Sequence, residues 1–152
     1  MGSKAGVGMR GFSLIELTIV VALIVILSMI ATPYLFTALA KGRRAEAYVM
    51  LRSLHMAEKG YWAEHGAYTA DLGAQGLNWK PEGTPYYSYG FGDGVRGTVG
   101  ASKGSRSELR RGYADATGFK AIATADIKGT GKQDVLSIDD KGVIVIEQDG
   151  LA

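Results

Sequence analysis

From Leu17 to Ala40 the chain carries no charged residue, and between Phe12 and Ala40 the only one is Glu16. At about 1.5 Å rise per residue the uncharged stretch makes a helix of roughly 36 Å, enough to cross a bilayer. Beyond it the apolar positions recur at intervals of three and four. Ala47, Met50, Leu51, Leu54, Ala57 and Tyr61 share one helical stripe, with Glu46, Ser53 and Lys59 on other faces. The pattern predicts one helix that grows out of the apolar segment, turns amphipathic, and stops at Gly66, a residue suited to a left-handed cap. Pro33 and Gly42 are its weak points. Proline removes a backbone donor and glycine weakens a helix interior by ~1 kcal/mol, so bends or local melting are expected near both.

The stretch from Tyr68 to Pro85 has no period and is broken by Gly73, Gly76, Pro81, Gly83 and Pro85, which predicts a connecting loop. Strands are predicted next. Tyr86–Phe91 alternates and is aromatic, Phe119–Ile127 alternates, Val135–Ile138 is short, and Val143–Ile146 is β-branched throughout. Asp139-Asp140-Lys141-Gly142 separates the last two as a hairpin turn. The expected fold class is α+β: a long amino-terminal helix, membrane-spanning in its first half and amphipathic in its second, packed on a small antiparallel sheet. Strand order is not given by periodicity.

Composition narrows the picture. At 152 residues the chain suits one small domain plus an anchor. Its 17 basic and 15 acidic residues leave a net charge of +2, and without Lys4 and Arg10 the balance is 15 to 15. A strongly basic nucleic-acid binder is not implied. With no cysteine, neither a disulfide framework nor a thiolate metal site exists, so the carboxy-terminal region must hold by hairpin pairing, a small core or neighbouring subunits.

A carboxylate in hydrocarbon costs ~2.5–3.5 kcal/mol on insertion scales, so the position of Glu16 calls for a reason. Its context is Arg10-Gly11-Phe12-Ser13-Leu14-Ile15-Glu16-Leu17: a short leader with Lys4 and Arg10, a glycine, an aromatic, a glutamate four positions on, then the apolar span. That order resembles the class III signal of type IV pilins and pseudopilins. The resemblance covers about the first quarter of the chain. It implies cleavage after Gly11 by a membrane prepilin peptidase, which also N-methylates the new terminus at Phe12. It further implies that Glu16 pairs with the Phe12 amine of a neighbouring subunit during helix packing, relieving the desolvation cost. Pro33 would be the family's helix-bending proline. The implied organisation is a leader at 1–11, a transmembrane and filament-core helix at 12–40, its amphipathic continuation at 41–66, and a loop-plus-sheet head at 67–152. The simpler reading of Glu16 is a carboxylate near a helix end, favoured by the helix dipole and snorkelling to the headgroups.

The same region has a rival account, because Ala38-Leu39-Ala40 fits the small-x-small pattern of ordinary signal peptidase, and cleavage there would release a secreted binding module starting at Lys41. Against it, the apolar run is long for a signal segment and Pro33, Tyr34 and Phe36 extend it. Charge does not orient the span, since Lys4 and Arg10 face Lys41, Arg43 and Arg44 across it. Placing the leader inside follows from the resemblance.

The remaining motifs carry less. Gly92-Asp93-Gly94-Val95-Arg96-Gly97 satisfies G-x-G-x-x-G, but no βαβ unit surrounds it, and the glycines at 90, 92, 94, 97, 100 and 104 read as a mobile or tightly turned loop. Asp126-Ile127-Lys128-Gly129-Thr130-Gly131 is a poor match to a calcium loop, with Lys128 at a ligand position, Thr130 a weak substitute and Ser137 where a glutamate belongs; Asp126 and Asp134, which could approach each other across the turn, are weak candidate ligands. His55 and His65 have no companion at ligand spacing. Arg96, Lys103, Arg106, Arg110 and Arg111 form a basic stretch. The favoured reading is a solvated loop or a face that pairs with Asp115, Asp139 or Glu147; the alternative is a patch repeated along a filament that gains avidity for DNA or polysaccharide. No nucleophile or acid–base constellation points to an enzyme, and no cofactor is implied.

The function that the resemblance implies is a structural subunit, held in the bacterial inner membrane as a single-pass precursor in contact with lipid, then polymerised by assembly machinery into a homo-oligomeric type IV pilus-like surface filament for motility, adhesion or DNA uptake. The alternative within the family is a minor pilin or a pseudopilin of a type II secretion system.

Overall fold

The computed structural model describes residues 11–92, 99–100 and 104–152. The chain divides into two compact units, Met1–Phe36 and Thr37–Ala152. Helix α1 (Leu14–His65) supplies the described part of the first unit and the opening of the second. It begins at Ser13, whose carbonyl accepts the Leu17 amide, and it is helical without interruption through Pro33 and Gly42. The local melting expected at those residues is not present in this isolated chain. The helix ends as predicted: Gly66 takes φ 71° and donates its amide to the Trp62 carbonyl at 2.8 Å, a conformation glycine adopts without a Cβ penalty.

Among the described residues of the second unit six strands form one antiparallel sheet. They are β1 (Ser88–Gly90), β2 (Val99–Gly100), β3 (Tyr113–Ala114), β4 (Phe119–Ala125), β5 (Asp134–Asp139) and β6 (Ile144–Gln148), in the order β2-β1-β4-β5-β6, with β3 paired to β4. A four-residue helix, α2 (Arg106–Leu109), lies between β2 and β3. The α+β class and four predicted strands are present. The pairs β2 and β3 and the short α2 have no sequence counterpart, because two-residue strands are too brief to carry a period.

Alternation along β4 and β5 sorts the core. Phe119, Ala121, Ala123 and Ala125 of β4, with Leu136 and Ile138 of β5, join Ala40, Ala47, Leu51 and Leu54 of α1 and Tyr87, Tyr89 and Phe91 around β1 in the main cluster. Ile122 and Val135 point the other way and are capped by Leu109 of α2. That second layer explains why β1 is buried along its whole length rather than alternately. Gly104 belongs to the same layer: a Cβ there would meet the Ser88 Cβ at 2.5 Å and the Thr124 carbonyl at 2.6 Å. The glycine-rich stretch is therefore partly built into the sheet, at Gly90 and Gly100, and packed closely against it at Gly104. Gly94 and Gly97 lie outside the described residues.

The β5–β6 hairpin closes at the predicted turn. Gly142 donates to the Asp139 carbonyl at 3.0 Å, and the Asp139 carboxylate accepts the amides of Lys141 and Val143.

Candidate assembly segment and the head that carries it

Residues 11–36 hold no buried side chain, although they are almost wholly apolar. Phe12 is 81% exposed and Met29 75%. Water does not favour such a surface, and a large contiguous apolar face marks a surface meant for lipid or protein. By length and composition α1 can cross a membrane. Three of its hydroxyls suit that setting, because each donates to a carbonyl of its own helix. Thr18 Oγ1 donates to the Ile15 carbonyl at 2.9 Å, Ser28 Oγ to Ile24 at 2.8 Å, and Thr32 Oγ1 to Ser28 at 2.7 Å. Backbone and hydroxyl donors thus reach hydrocarbon already paired.

Glu16 lies in the first turn of α1, three residues after Ser13, where a carboxylate meets the positive end of the helix dipole. Gly11 and Phe12 precede the helix in irregular backbone. No lysine or arginine occurs between Gly11 and Lys41, so this segment supplies Glu16 with no side-chain cation of its own. The leader, with Lys4 and Arg10, lies outside the described residues.

Directly after Gly42 the helix is fastened to the sheet. Arg44, only 12% exposed, makes a two-pronged ion pair with the fully buried Asp134 and a further one with Asp149. Tyr87 donates its hydroxyl to Asp134 at 2.6 Å, and the Gly150 amide adds a bond at 2.7 Å. Burial works against the Arg44 cation, but the two aspartates outweigh it and hold its pKa above the usual arginine range. Burial, followed by the hydrogen bond to Asp134 and then its charge, raises the Tyr87 phenol. Beside this cluster Arg43 donates to the Ile127 carbonyl at 2.6 Å and stacks over the Tyr86 ring, while Glu46 accepts the Tyr86 amide.

Asp134, one of the two weak calcium candidates, is engaged on both oxygens. Its oxygens are taken by a guanidinium, a phenol and an amide, which is a donor set for an anion and not a cation site. Asp126 is committed separately, accepting the amides of Gly129, Thr130 and Gly131 within its own turn. Among the described residues no three potential metal ligands cluster. The basic stretch is likewise divided. Arg96 and Lys103 lie outside the described residues. Arg106 opens α2 and is exposed, as is Arg110, and Arg111 pairs with Glu108 at 3.0 Å and with Glu147 at 2.7 Å. Glu147 also binds Lys120 and accepts the Ser137 hydroxyl. The pairing of Arg111 with Glu147 is the contact weighed from sequence. His55 reaches the Asp140 carbonyl at 3.2 Å, and His65 stacks on Tyr61 with ring centroids 4.0 Å apart.

Over 80 residues the chain is 40% identical to the type IV major pilin protein PilA of Myxococcus xanthus. This chain is similar to a type IV pilin. The matched stretch is 53% of this chain and 36% of the relative, so the chain spans about a third of the length of the pilin it matches. No protein-family model matches it.

Two features of the head were not read from sequence. The Arg44 cluster had a faint signal, the doublet Arg43-Arg44 directly after an uncharged span. Glu58 had a better one: it follows Leu51 by seven and Leu54 by four, on the buried stripe, and it is fully buried.

Proposed function

We propose that this chain is a pilin: a membrane-anchored precursor, cut between Gly11 and Phe12, whose apolar helix leaves lipid to pack against copies of itself in a type IV pilus-like filament. The observation that carries this reading is the uncovered apolar surface of residues 12–36 with the lone carboxylate Glu16 in its first turn, continued by an α+β head in a chain similar to a known pilin. Glu16 then pairs with the Phe12 amine of a neighbouring copy, since its own segment offers no side-chain cation. Release after Ala40 is the rival reading, and the position of the mature amino terminus separates the two.

The test is intact mass and amino-terminal sequencing of the protein from sheared cell-surface material and from membranes. The expected result is an N-methylated Phe12 terminus in abundant sheared filaments. The same terminus confined to membranes would assign the chain as a minor pilin or pseudopilin, and a Lys41 terminus in the medium would overturn the reading.

A further inference from the structure

Glu58 is fully buried on α1, and among the described residues no counter-ion pairs with it. Its Oε2 accepts the Thr69 amide at 3.2 Å, and its Oε1 has no partner. The titratable groups nearby are engaged elsewhere. On α1, His55 goes to the Asp140 carbonyl and Lys59 donates to the Tyr68 hydroxyl at 2.8 Å. On the segment that follows the helix, Asp71 accepts the Gly73 amide at 2.8 Å. From the β3–β4 turn, Asp115 presents its carbonyl to the Tyr68 amide, while its carboxylate binds Thr117 and Gly118.

A neutral carboxyl with one idle oxygen is tolerable in such a place, whereas an unpaired buried charge is not. We propose that Glu58 is a proton-controlled latch: neutral, it holds residues 67–71 against the last turns of α1; ionised, it draws in water and lets that segment lift. The latch guards an apolar surface, because the Tyr68 ring packs on Phe119 with centroids 5.1 Å apart and on Trp62 at 6.2 Å. Lifting uncovers the Phe119 end of the core and frees the half-buried Tyr68 ring, together with the face of the already exposed Trp62 that it covers. Burial pushes the Glu58 carboxyl up to about 7, the Thr69 amide opposing it only in part, so the change falls near neutrality. The latch is a property of the head and holds whether or not the chain polymerises.

The experiment is amide exchange by NMR on the full chain in detergent micelles, compared between pH 5.5 and 8.5 as protection factors, so that intrinsic base catalysis is removed. Protection at Tyr68 and Thr69 is expected to fall by roughly tenfold or more in the native chain and to stay level in Glu58→Gln, which keeps the acceptor and cannot ionise. Equal protection at both pH values, or the same fall in Glu58→Gln, would overturn the latch. Should the variant misfold, the native chain decides: a fall in Tyr68 and Thr69 protection that tracks the titration of the Glu58 carboxyl carbon upholds the latch, and a titration without loss of protection, or loss without titration, removes it.

Discussion

Glu58 occupies a position where the helical stripe asks for an apolar residue, and the cost of that exception varies with pH. Its folded-state pKa, about 7, lies above the ordinary glutamate value of 4.5, so the native chain holds the proton more tightly than the unfolded one. Stability from this group is complete below the unfolded value, declines as pH rises from 4.5 toward 7, and is flat above. Glu58→Gln removes the dependence and is expected to stabilise the full chain by about 2–3 kcal/mol at pH 8 while changing little at pH 4. Urea midpoints in micelles at the two pH values check this, and an equal effect at both would show that ionisation is not the cause. The spacing from Leu51 and Leu54 made the burial of Glu58 legible. Its lack of a cation was not, because that depends on where His55, Lys59 and Asp115 send their own polar atoms.

Among the elements, α1 was the most legible, since an uncharged run long enough to cross a bilayer passes directly into a stripe at intervals of three and four, and its stop at Gly66 has a conformational cause. The strands were found where alternation or β-branching ran for four residues or more. Those of two residues, Val99–Gly100 and Tyr113–Ala114, were not, because they owe their existence to β1 and β4 beside them. The joint between α1 and the sheet was equally hidden: Arg44 and Asp134 are 90 positions apart, and only the fold brings them together. Asp134→Ala leaves the Arg44 cation buried with Asp149 alone and strands the Tyr87 hydroxyl, and is expected to cost about 3–5 kcal/mol in the denaturant midpoint. Replacing both partners by apolar residues, Arg44→Met with Asp134→Leu, should recover most of that loss. A double variant no better than Asp134→Ala would mean that packing, and not an uncompensated charge, sets the cost.

For the whole molecule, the contrast between an uncovered apolar segment and a well-packed head is what the proposed filament resolves. Glu16→Ala is expected to leave membrane insertion intact, or slightly improve it, and to cut the yield of sheared filaments at least tenfold, roughly the effect of losing a desolvated charge pair. Full-length protein in the membrane fraction together with native filament yield would remove Glu16 from assembly. The motif around Gly11 and Phe12 made the apolar helix and its likeness to pilins legible, but not how the head is closed. That closure has a further consequence. The chain contains no cysteine, and the tie between residues 149–150, β5 and α1 is made by Arg44 and Asp134. A head fastened by a guanidinium and two carboxylates needs no oxidase. It can fold as soon as it is synthesised and refold after every unfolding without reshuffling sulfur. Thiols leave it untouched, and salt, which screens a buried pair only weakly, reaches chiefly the half-exposed Asp149 arm of the tie.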